Sequence, residues 1–290
     1  MTEFFVRMPS STNLMAFETD LQDNCWLAQR LRPYVQYAQF AALWELGDKA
    51  VVGEDGWLFY KPAVQYLVEP WPLDSAGDQN NVISAVVSFR DQLAERGIHL
   101  LVVPVPNKAS VYPDMLTRQA RKKDEPVNAV TIEVMRRLRE AGVEVVDLFA
   151  LFEQARAASA GEATKYYLAQ DSHWSPDGVR LAAKAIARRL IDLGWVETKQ
   201  TDYALKSVTI ERHGDILKMI QVPQIERQFE PEQTDCTQVI NRETNQPYHD
   251  DPNSEVLVLG DSFLRIYSQD EPGAAGFVEH LGYELGFALA

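Results

Sequence analysis

The stretch Glu255-Val-Leu-Val-Leu-Gly-Asp-Ser-Phe-Leu264 decides how the rest of the chain is read. Four consecutive Val and Leu residues, Val256 to Leu259, bounded by Gly260, have the length and composition of a strand buried on both faces, as in the middle of a parallel sheet. The Gly-Asp-Ser turn that follows would lift the Ser262 hydroxyl to the carboxyl edge of that sheet, where α/β folds place their ligands. Asp and Ser are also ordinary turn formers that bond their own backbone, so this stretch alone does not establish a nucleophile.

A second stretch gives it weight. Asp171-Ser-His-Trp174 is followed by Ser175, a good N-cap, and Pro176, a good first helical residue. The helix they open would bury Val179, Ala182, Ala183, Ile186, Leu190 and Leu193 and stop before Gly194. Asp171 and His173 therefore lie in the loop just ahead of a helix. A serine hydroxyl is a poor nucleophile at neutral pH unless a base lies within hydrogen-bond reach and a third group orients that base. Ser262, His173 and Asp171 supply the three types. Because the last two are one residue apart, an extended loop lets both face the same side.

Between the N-terminus and that loop the pattern alternates helix and strand. Val82, Val86, Phe89 and Leu93 fall on one helical face, Gly97 suits the residue after a helix, and Leu100 to Val103 reads as a buried strand. Pro104 and Pro106 forbid further sheet pairing, which puts Asn107 and Lys108 in the loop beyond the strand end. The unit recurs with Val127, Val130, Val134, Leu138 and Ala141 before Gly142, then Val143 to Leu148 as a strand, and a helix-compatible stretch from Phe149 to Ala160. Such alternation predicts an α/β fold with a parallel, doubly wound sheet. Residues 1–50 read as a helical arm, patterned from about Pro33 to Ala50 with a stripe of Val35, Phe40, Leu43, Leu46 and Ala50, packed on a main domain of residues 51–290. Gly53 to Gly56 turns into a short aromatic strand, Trp57 to Tyr60. Residues 196–254, with Pro223, Pro231, Pro247 and Pro252, read as an insertion of short strands and loops. Within it, Arg212-His-Gly-Asp215 pairs one His with one Asp, more readily a hydrogen-bonded turn than a metal site. Ala274 to Ala290 has helical spacing and no helix-stop residue at its very end, so the natural chain is expected to extend further.

Composition bounds the partners. The chain has 290 residues, 46% of them hydrophobic, enough for a full core. With 28 basic against 42 acidic side chains, the formal charge of -14 argues against a general affinity for nucleic acid or an anionic membrane surface. Arg118, Arg121, Lys122 and Lys123 form one dense basic cluster, either a solvated face or a place to hold an anionic polymer. No apolar run is long enough to span a bilayer, and the N-terminus lacks the pattern of a signal peptide. Cys25 and Cys236 match no metal or redox spacing.

Gly260-Asp-Ser-Phe263 together with Asp171-x-His-Trp174 resembles the SGNH/GDSL hydrolase superfamily, in the branch of alginate O-acetyltransferases of the AlgJ and AlgX type. There the Asp-x-His element precedes the serine, as it does in this chain. Gly53-Glu-Asp-Gly-Trp-Leu-Phe-Tyr60, Pro106-Asn-Lys108 with Tyr112-Pro113, and Gly214-Asp215 strengthen the likeness. The resemblance implies an SGNH-like three-layer α/β/α fold with a mostly parallel sheet, an N-terminal arm and a β- and loop-rich insertion. It implies acetyl transfer to the hydroxyls of an alginate-like exopolysaccharide through an acetyl-Ser262 intermediate, with His173 as base and Asp171 as orienting acid, and without metal or cofactor. It further implies a periplasmic or cell-envelope location and a membrane-bound O-acyltransferase partner that supplies the acetyl group. A strand expected after the serine helix is absent from the sequence, which would leave an apolar surface open.

Asn107, Lys108 and Arg265 are side-chain candidates for the oxyanion or substrate, beside the Ser262 backbone N–H. Trp174, with Trp57, Tyr60 and Trp71, lines a sugar groove or fills the core. A carbohydrate acetylesterase shares the same acyl-enzyme, and a silent glycan-binding or assembly module would keep the fold without the chemistry. A net negative chain repels a uronic-acid polymer, so either a local basic patch compensates or the acceptor is a neutral glycan.

Overall fold

The structure is a computed structural model that describes residues 24–68, 82–122, 127–159 and 164–290, with positions 10, 11, 13–15 and 17. Its organising element is the helix Pro176–Asp192 (here α8), which runs through the core. Ser175 accepts a hydrogen bond from the Gly178 N–H, Pro176 opens the first turn, and Val179, Ala182, Ala183, Ile186 and Leu190 are buried on one face. Full burial of a side chain such as Ile186 stabilises by about 1.5–3 kcal/mol. The helix Phe277–Leu285 (α12) packs against α8 and presents Phe277, Leu281 and Leu285 to the same core. It ends at Gly286, whose φ of 86° is the left-handed cap. The stop signal that the sequence reading missed thus lies inside the apolar segment, before Phe287.

The other helices precede α8: Trp26–Leu43 (α1), Lys61–Val68 (α2), Val82–Ala94 (α3), the single turns Lys108–Val111 (α4) and Pro113–Leu116 (α5), Ala129–Glu140 (α6), and Leu148–Ala158 (α7). Two more turns, Asp215–Ile220 (α9) and Pro223–Glu226 (α10), lie in the 196–254 segment, and Ser262–Arg265 (α11) follows it. The α1 helix begins at Trp26 and runs through Pro33, about where the sequence pattern has it start, and ends at Leu43, short of Ala50. Phe40, Leu46 and Ala50 of the expected stripe are buried, whereas Val35 and Leu43 are exposed. In α3 the face that packs carries Ile83, Val86 and Val87, and Val82 and Phe89 point outward, a rotation of the predicted stripe.

Strand pairing is sparser than the sequence reading expects. Ala50–Val52 (β1) pairs antiparallel with Leu58–Tyr60 (β2), and Leu101–Val102 (β3) pairs parallel with Glu144–Val145 (β4). The α/β class holds, and among the described residues β3 and β4 are the parallel pair. The predicted strand 143–148 ends early because Asp147 turns into the N-cap of α7, accepting from the Ala150 N–H. The 196–254 segment is no set of short strands: Tyr203–Arg212 (β5) and Glu232–Asn241 (β6) form one antiparallel ribbon in unbroken register from Tyr203↔Asn241 to Arg212↔Glu232.

Val256 to Leu259 is extended, yet it is not a strand buried on both faces. Val256 and Val258 pack on the core, while Leu257 and Leu259 are 65% and 74% exposed. Its backbone bonds to the chain's last residue: the Val258 N–H donates to the Ala290 carbonyl at 2.8 Å, and the Ala290 N–H donates to the Val256 carbonyl at 3.0 Å. Side chains alternate across an extended backbone, so covering one face leaves every second residue open. Cys25 and Cys236 are both free thiols. Among the described residues no helix is long and apolar enough to cross a membrane.

Candidate active site

Asp171, Ser172 and His173 occupy the tip of a loop closed by a bridge between Tyr167 and Trp174 and by the Ser175 N–H donating to the Tyr166 carbonyl. The close of the loop and the start of α8 coincide, so the helix fixes where the tip points. Ser262 approaches from the other side as the first residue of α11, where Asp261 caps the turn by accepting from the Phe263 N–H. Just past the end of that turn, Tyr267 ties the segment to the acid loop. That residue has a φ of 62°, is fully buried, and donates its hydroxyl to the Trp174 carbonyl. A Cβ at Gly260 would sit 2.7 Å from the Leu264 side chain, which would have to turn aside to admit it.

His173 Nε2 lies 2.8 Å from Ser262 Oγ, and His173 Nδ1 lies 2.8 Å from Asp171 Oδ1. The same Asp171 oxygen accepts the His173 backbone N–H at 3.0 Å. Asp171 is fully buried, and its second oxygen accepts from Arg212 Nη2 at 3.0 Å and from the Asp215 N–H at 3.2 Å. Burial alone would raise the Asp171 pKa, but the hydrogen bond to His173 and the Arg212 charge outweigh it and hold the carboxyl well below the usual range. Burial likewise pushes the His173 imidazolium down, and the bond to Asp171 with the charges of Asp171 and Asp215 overcomes it, so the pKa ends above its ordinary value. His173 and Ser262 border a cleft of about 460 Å³ with Asn107, Arg265, Phe59, Tyr60 and Phe263 on its walls, the size of a small-ligand site, and Asp171 lies sealed behind them.

The description "SGNH hydrolase-like domain, acetyltransferase AlgX" matches residues 50–289. The chain belongs to this family. Among curated AlgJ and AlgX proteins, the chain is 26% identical over 180 residues to the probable alginate O-acetylase AlgJ of Pseudomonas aeruginosa PAO1, covering 59% of this chain and 40% of that protein. It is 30% identical over 124 residues to the alginate biosynthesis protein AlgX of the same strain, covering 42% and 25%. The chain thus matches about two fifths of that AlgJ and a quarter of that AlgX. Its fold is that of the O-acetyltransferase domain of Pseudomonas putida AlgJ, with a TM-score of 0.63 at 23% identity over 83% of this chain and 77% of that one. Pseudomonas aeruginosa AlgX superposes with a TM-score of 0.60 at 22% identity, covering 83% and 54%.

Beneath the AlgX-family acid loop sits Lys108. It is buried, and its Nζ donates to the carbonyls of Leu168, Ala169 and Asp171 at 3.0, 2.9 and 2.6 Å. Burial brings its pKa down to about 7 against the pull of Asp171, Glu232 and Asp215. All three ammonium protons are committed to the loop, which corrects its expected place as an oxyanion donor: Lys108 props the loop instead. Asn107 does face the cleft. Its Oδ1 is taken by the Ser110 N–H and hydroxyl, so the amide nitrogen is the end left for a ligand. Arg265 stands at the rim, paired with Asp270 at 3.0 Å. Trp174 is 1% exposed, stacked on Phe277 and edge-on to Phe263, and Trp57 is also core; both belong to the packing and neither to a sugar groove. Tyr60 is at the cleft, and Trp71 lies outside the described residues. In the basic cluster, Arg118 pairs with Glu54 at 2.8 Å; the side chains of Arg121, Lys122 and Lys123 lie outside the described residues.

Arg212 and Glu232 join the site with no role marked in the sequence, and Asp215 is marked there only by the Gly214-Asp215 likeness, again with no role attached. Glu232 accepts the N–H groups of Ala169 and Gln170 at 2.8 and 2.7 Å, and Arg212 is its partner in the ribbon register. The end of the β5–β6 ribbon where residues 213–231 join its strands therefore grips the acid loop from both strands. Gly214 permits this approach, because a Cβ there would lie 2.0 Å from the Gln170 carbonyl oxygen and 2.5 Å from the Asp171 nitrogen. The available signal is the Arg212-His-Gly-Asp215 motif, which the sequence reading takes as a turn. Asp171, His173 and Asp215 could bring one ligand atom each within 4.8 Å of the others. Hydrogen bonds already occupy both oxygens of Asp171, the His173 Nδ1 and both oxygens of Asp215, so the cluster is a hydrogen-bonded one.

Proposed function

We propose that this chain is a polysaccharide O-acetyltransferase acting on an alginate-like exopolysaccharide, with Ser262 as nucleophile, His173 as general base and Asp171 as the acid that orients it. The continuous line Asp171 Oδ1, His173 Nδ1, His173 Nε2, Ser262 Oγ, with 2.8 Å at both junctions, carries the reading. The alginate O-acetylases among its relatives support the acetyl and polysaccharide assignments.

In the first half-reaction Ser262 Oγ attacks the acetyl carbonyl and its proton passes to His173 Nε2. The carbonyl electron pair moves to oxygen, and the backbone N–H of Ser262 and the Asn107 amide stabilise that oxyanion. Collapse expels the donor's oxygen, which takes the proton from His173 and leaves acetyl-Ser262. In the second half His173 removes a proton from a sugar hydroxyl, whose oxygen attacks the acetyl carbonyl; Ser262 Oγ leaves and is reprotonated. The acetyl donor is delivered by a membrane-bound O-acyltransferase, which places the chain in the cell envelope.

The test incubates the protein with a small acetyl ester and a panel of uronate and neutral oligosaccharides, read by mass spectrometry. A 42 Da gain on a sugar, at about the acetyl mass, absent with Ser262→Ala, is the expected result. Free acetate with no acetylated sugar makes the chain an esterase, and undiminished turnover by Ser262→Ala removes the triad.

A further inference from the structure

Two carboxylates face the imidazole of His173. Asp171 Oδ1 is the nearer, and Asp215 Oδ2 lies 3.4 Å from the same Nδ1. Asp215, at the start of α9, also holds the residue between them. Its Oδ1 accepts the Ser172 N–H at 2.6 Å and its Oδ2 accepts the Ser172 hydroxyl at 2.5 Å, while that hydroxyl oxygen is 3.3 Å from His173 Nδ1. Asp215 is partly exposed and lines the cleft, in contrast to the sealed Asp171.

The electrostatic balance explains why a second carboxylate is useful. In an acyl-transfer triad the acid both orients the imidazole and stabilises the imidazolium formed when the serine loses its proton. Here Arg212 stands 3.0 Å from Asp171 and cancels much of that carboxylate's charge. Around His173 the charged groups are Asp171 on its own loop, Arg212 from β5, Asp215 from α9 and, beneath the loop, Lys108 of α4, while Ser172, Ser262 and Phe263 complete its surroundings. Arg212 is bonded to Asp171 and the Lys108 ammonium to backbone carbonyls, so among the described residues Asp215 is the carboxylate at His173 with no Lys or Arg bonded to it. We propose that Asp215 is a positioning residue of the acyl-transfer centre, which fixes the His173 loop through Ser172 and supplies the charge that balances the imidazolium. The inference rests on the triad proposed above. The raised His173 pKa agrees with it, since the charge of Asp215 is among the influences that raise it.

Asp215→Asn keeps the size of the side chain and an acceptor for Ser172, and removes the charge. With a small acetyl ester, kcat is expected to fall at least tenfold with KM nearly unchanged. The acid limb of kcat/KM is expected to move to lower pH by about one unit, the low end of what an opposite charge at this range does to a pKa. A lower kcat with an unmoved limb would make Asp215 a loop support only and overturn the electrostatic role. Ser172→Ala retains both carboxylates and cuts the hydroxyl link; a several-fold lower kcat without a downward limb shift is expected, and unchanged kcat overturns the positioning role whether or not Asp215→Asn folds. Ser262→Ala, assayed alongside, separates the two readings. Activity that survives there removes the triad and this inference with it, whereas an inactive Ser262→Ala beside an unmoved limb in Asp215→Asn removes this inference alone.

Discussion

Arg212 Nη2 donates to Asp171 Oδ2 at 3.0 Å, across side chains that are 13% and 0% exposed. The pair is thus shielded from solvent, and breaking it leaves a buried carboxylate without its counter-charge. Arg212→Met is expected to destabilise the fold by about 3–5 kcal/mol, the cost of removing one partner of a buried ion pair. Urea unfolding with an unchanged m-value would read this directly as a lower midpoint. A loss under 1 kcal/mol would show that Asp171 is adequately held by its other donors.

Gly214→Ala places a methyl group against backbone that cannot move aside as a side chain can. Overpacking of this kind costs about 1–3 kcal/mol, and here relief means shifting either α9 or the Asp171 loop. Turnover of a small acetyl ester should therefore drop more than stability does. A variant with wild-type kcat would show that the loop yields without disturbing His173.

Lys108→Met leaves the carbonyls of Leu168 and Asp171 without their donor, while that of Ala169 keeps the Leu58 N–H. Each buried acceptor left unpaired costs about 1–3 kcal/mol, and relief from burying an ammonium returns part of the sum, so a net loss of about 2 kcal/mol is expected. Thermal unfolding and ester turnover should fall together, since the same carbonyls hold the acid loop. Lost turnover at unchanged stability would return Lys108 to a direct part in the chemistry.

The pH profile carries a sign. In the proposed reaction His173 serves as base only when neutral, and its folded-state pKa is raised above the ordinary value of about 6.5. Activity as kcat/KM should therefore climb through a midpoint above 6.5 and then level off. The stability from the His173–Asp171 bond runs the other way. It is fully present below the unfolded pKa and is lost as pH rises through the higher folded one. An activity midpoint below 6.5, with the substrate's own ionisation excluded, would contradict this electrostatic account of the site.

Much of the frame is legible from local sequence. Ser175, Pro176 and the spacing from Val179 to Leu190 announce α8, and once that helix is placed the loop with Asp171 and His173 is placed too. Leu257 and Leu259 show where local reading ends, because an apolar run carries no mark of how many of its faces find a partner. Lys108 shows another limit: a lysine after two prolines at a strand end reads as a side chain free for a ligand, and only the convergence of three carbonyls distant in the chain turns it inward. Arg212 and Glu232 escape for a related reason. Their segment has loop-like composition, and the long ribbon that aims them at the acid loop is a matter of pairing register, which one strand cannot state alone.

The grip of the β5–β6 ribbon on the acid loop also has a kinetic consequence. Lys108, Asp171, Arg212, Glu232 and Ser262 come from segments scattered over more than half the chain, and each contact closes a long loop. Closure entropy must be met before such contacts stabilise anything, so long-range assemblies form late. On dilution from denaturant the helical signal should return first and ester turnover last. Catalytic competence, in this molecule, is a clock for the completion of folding.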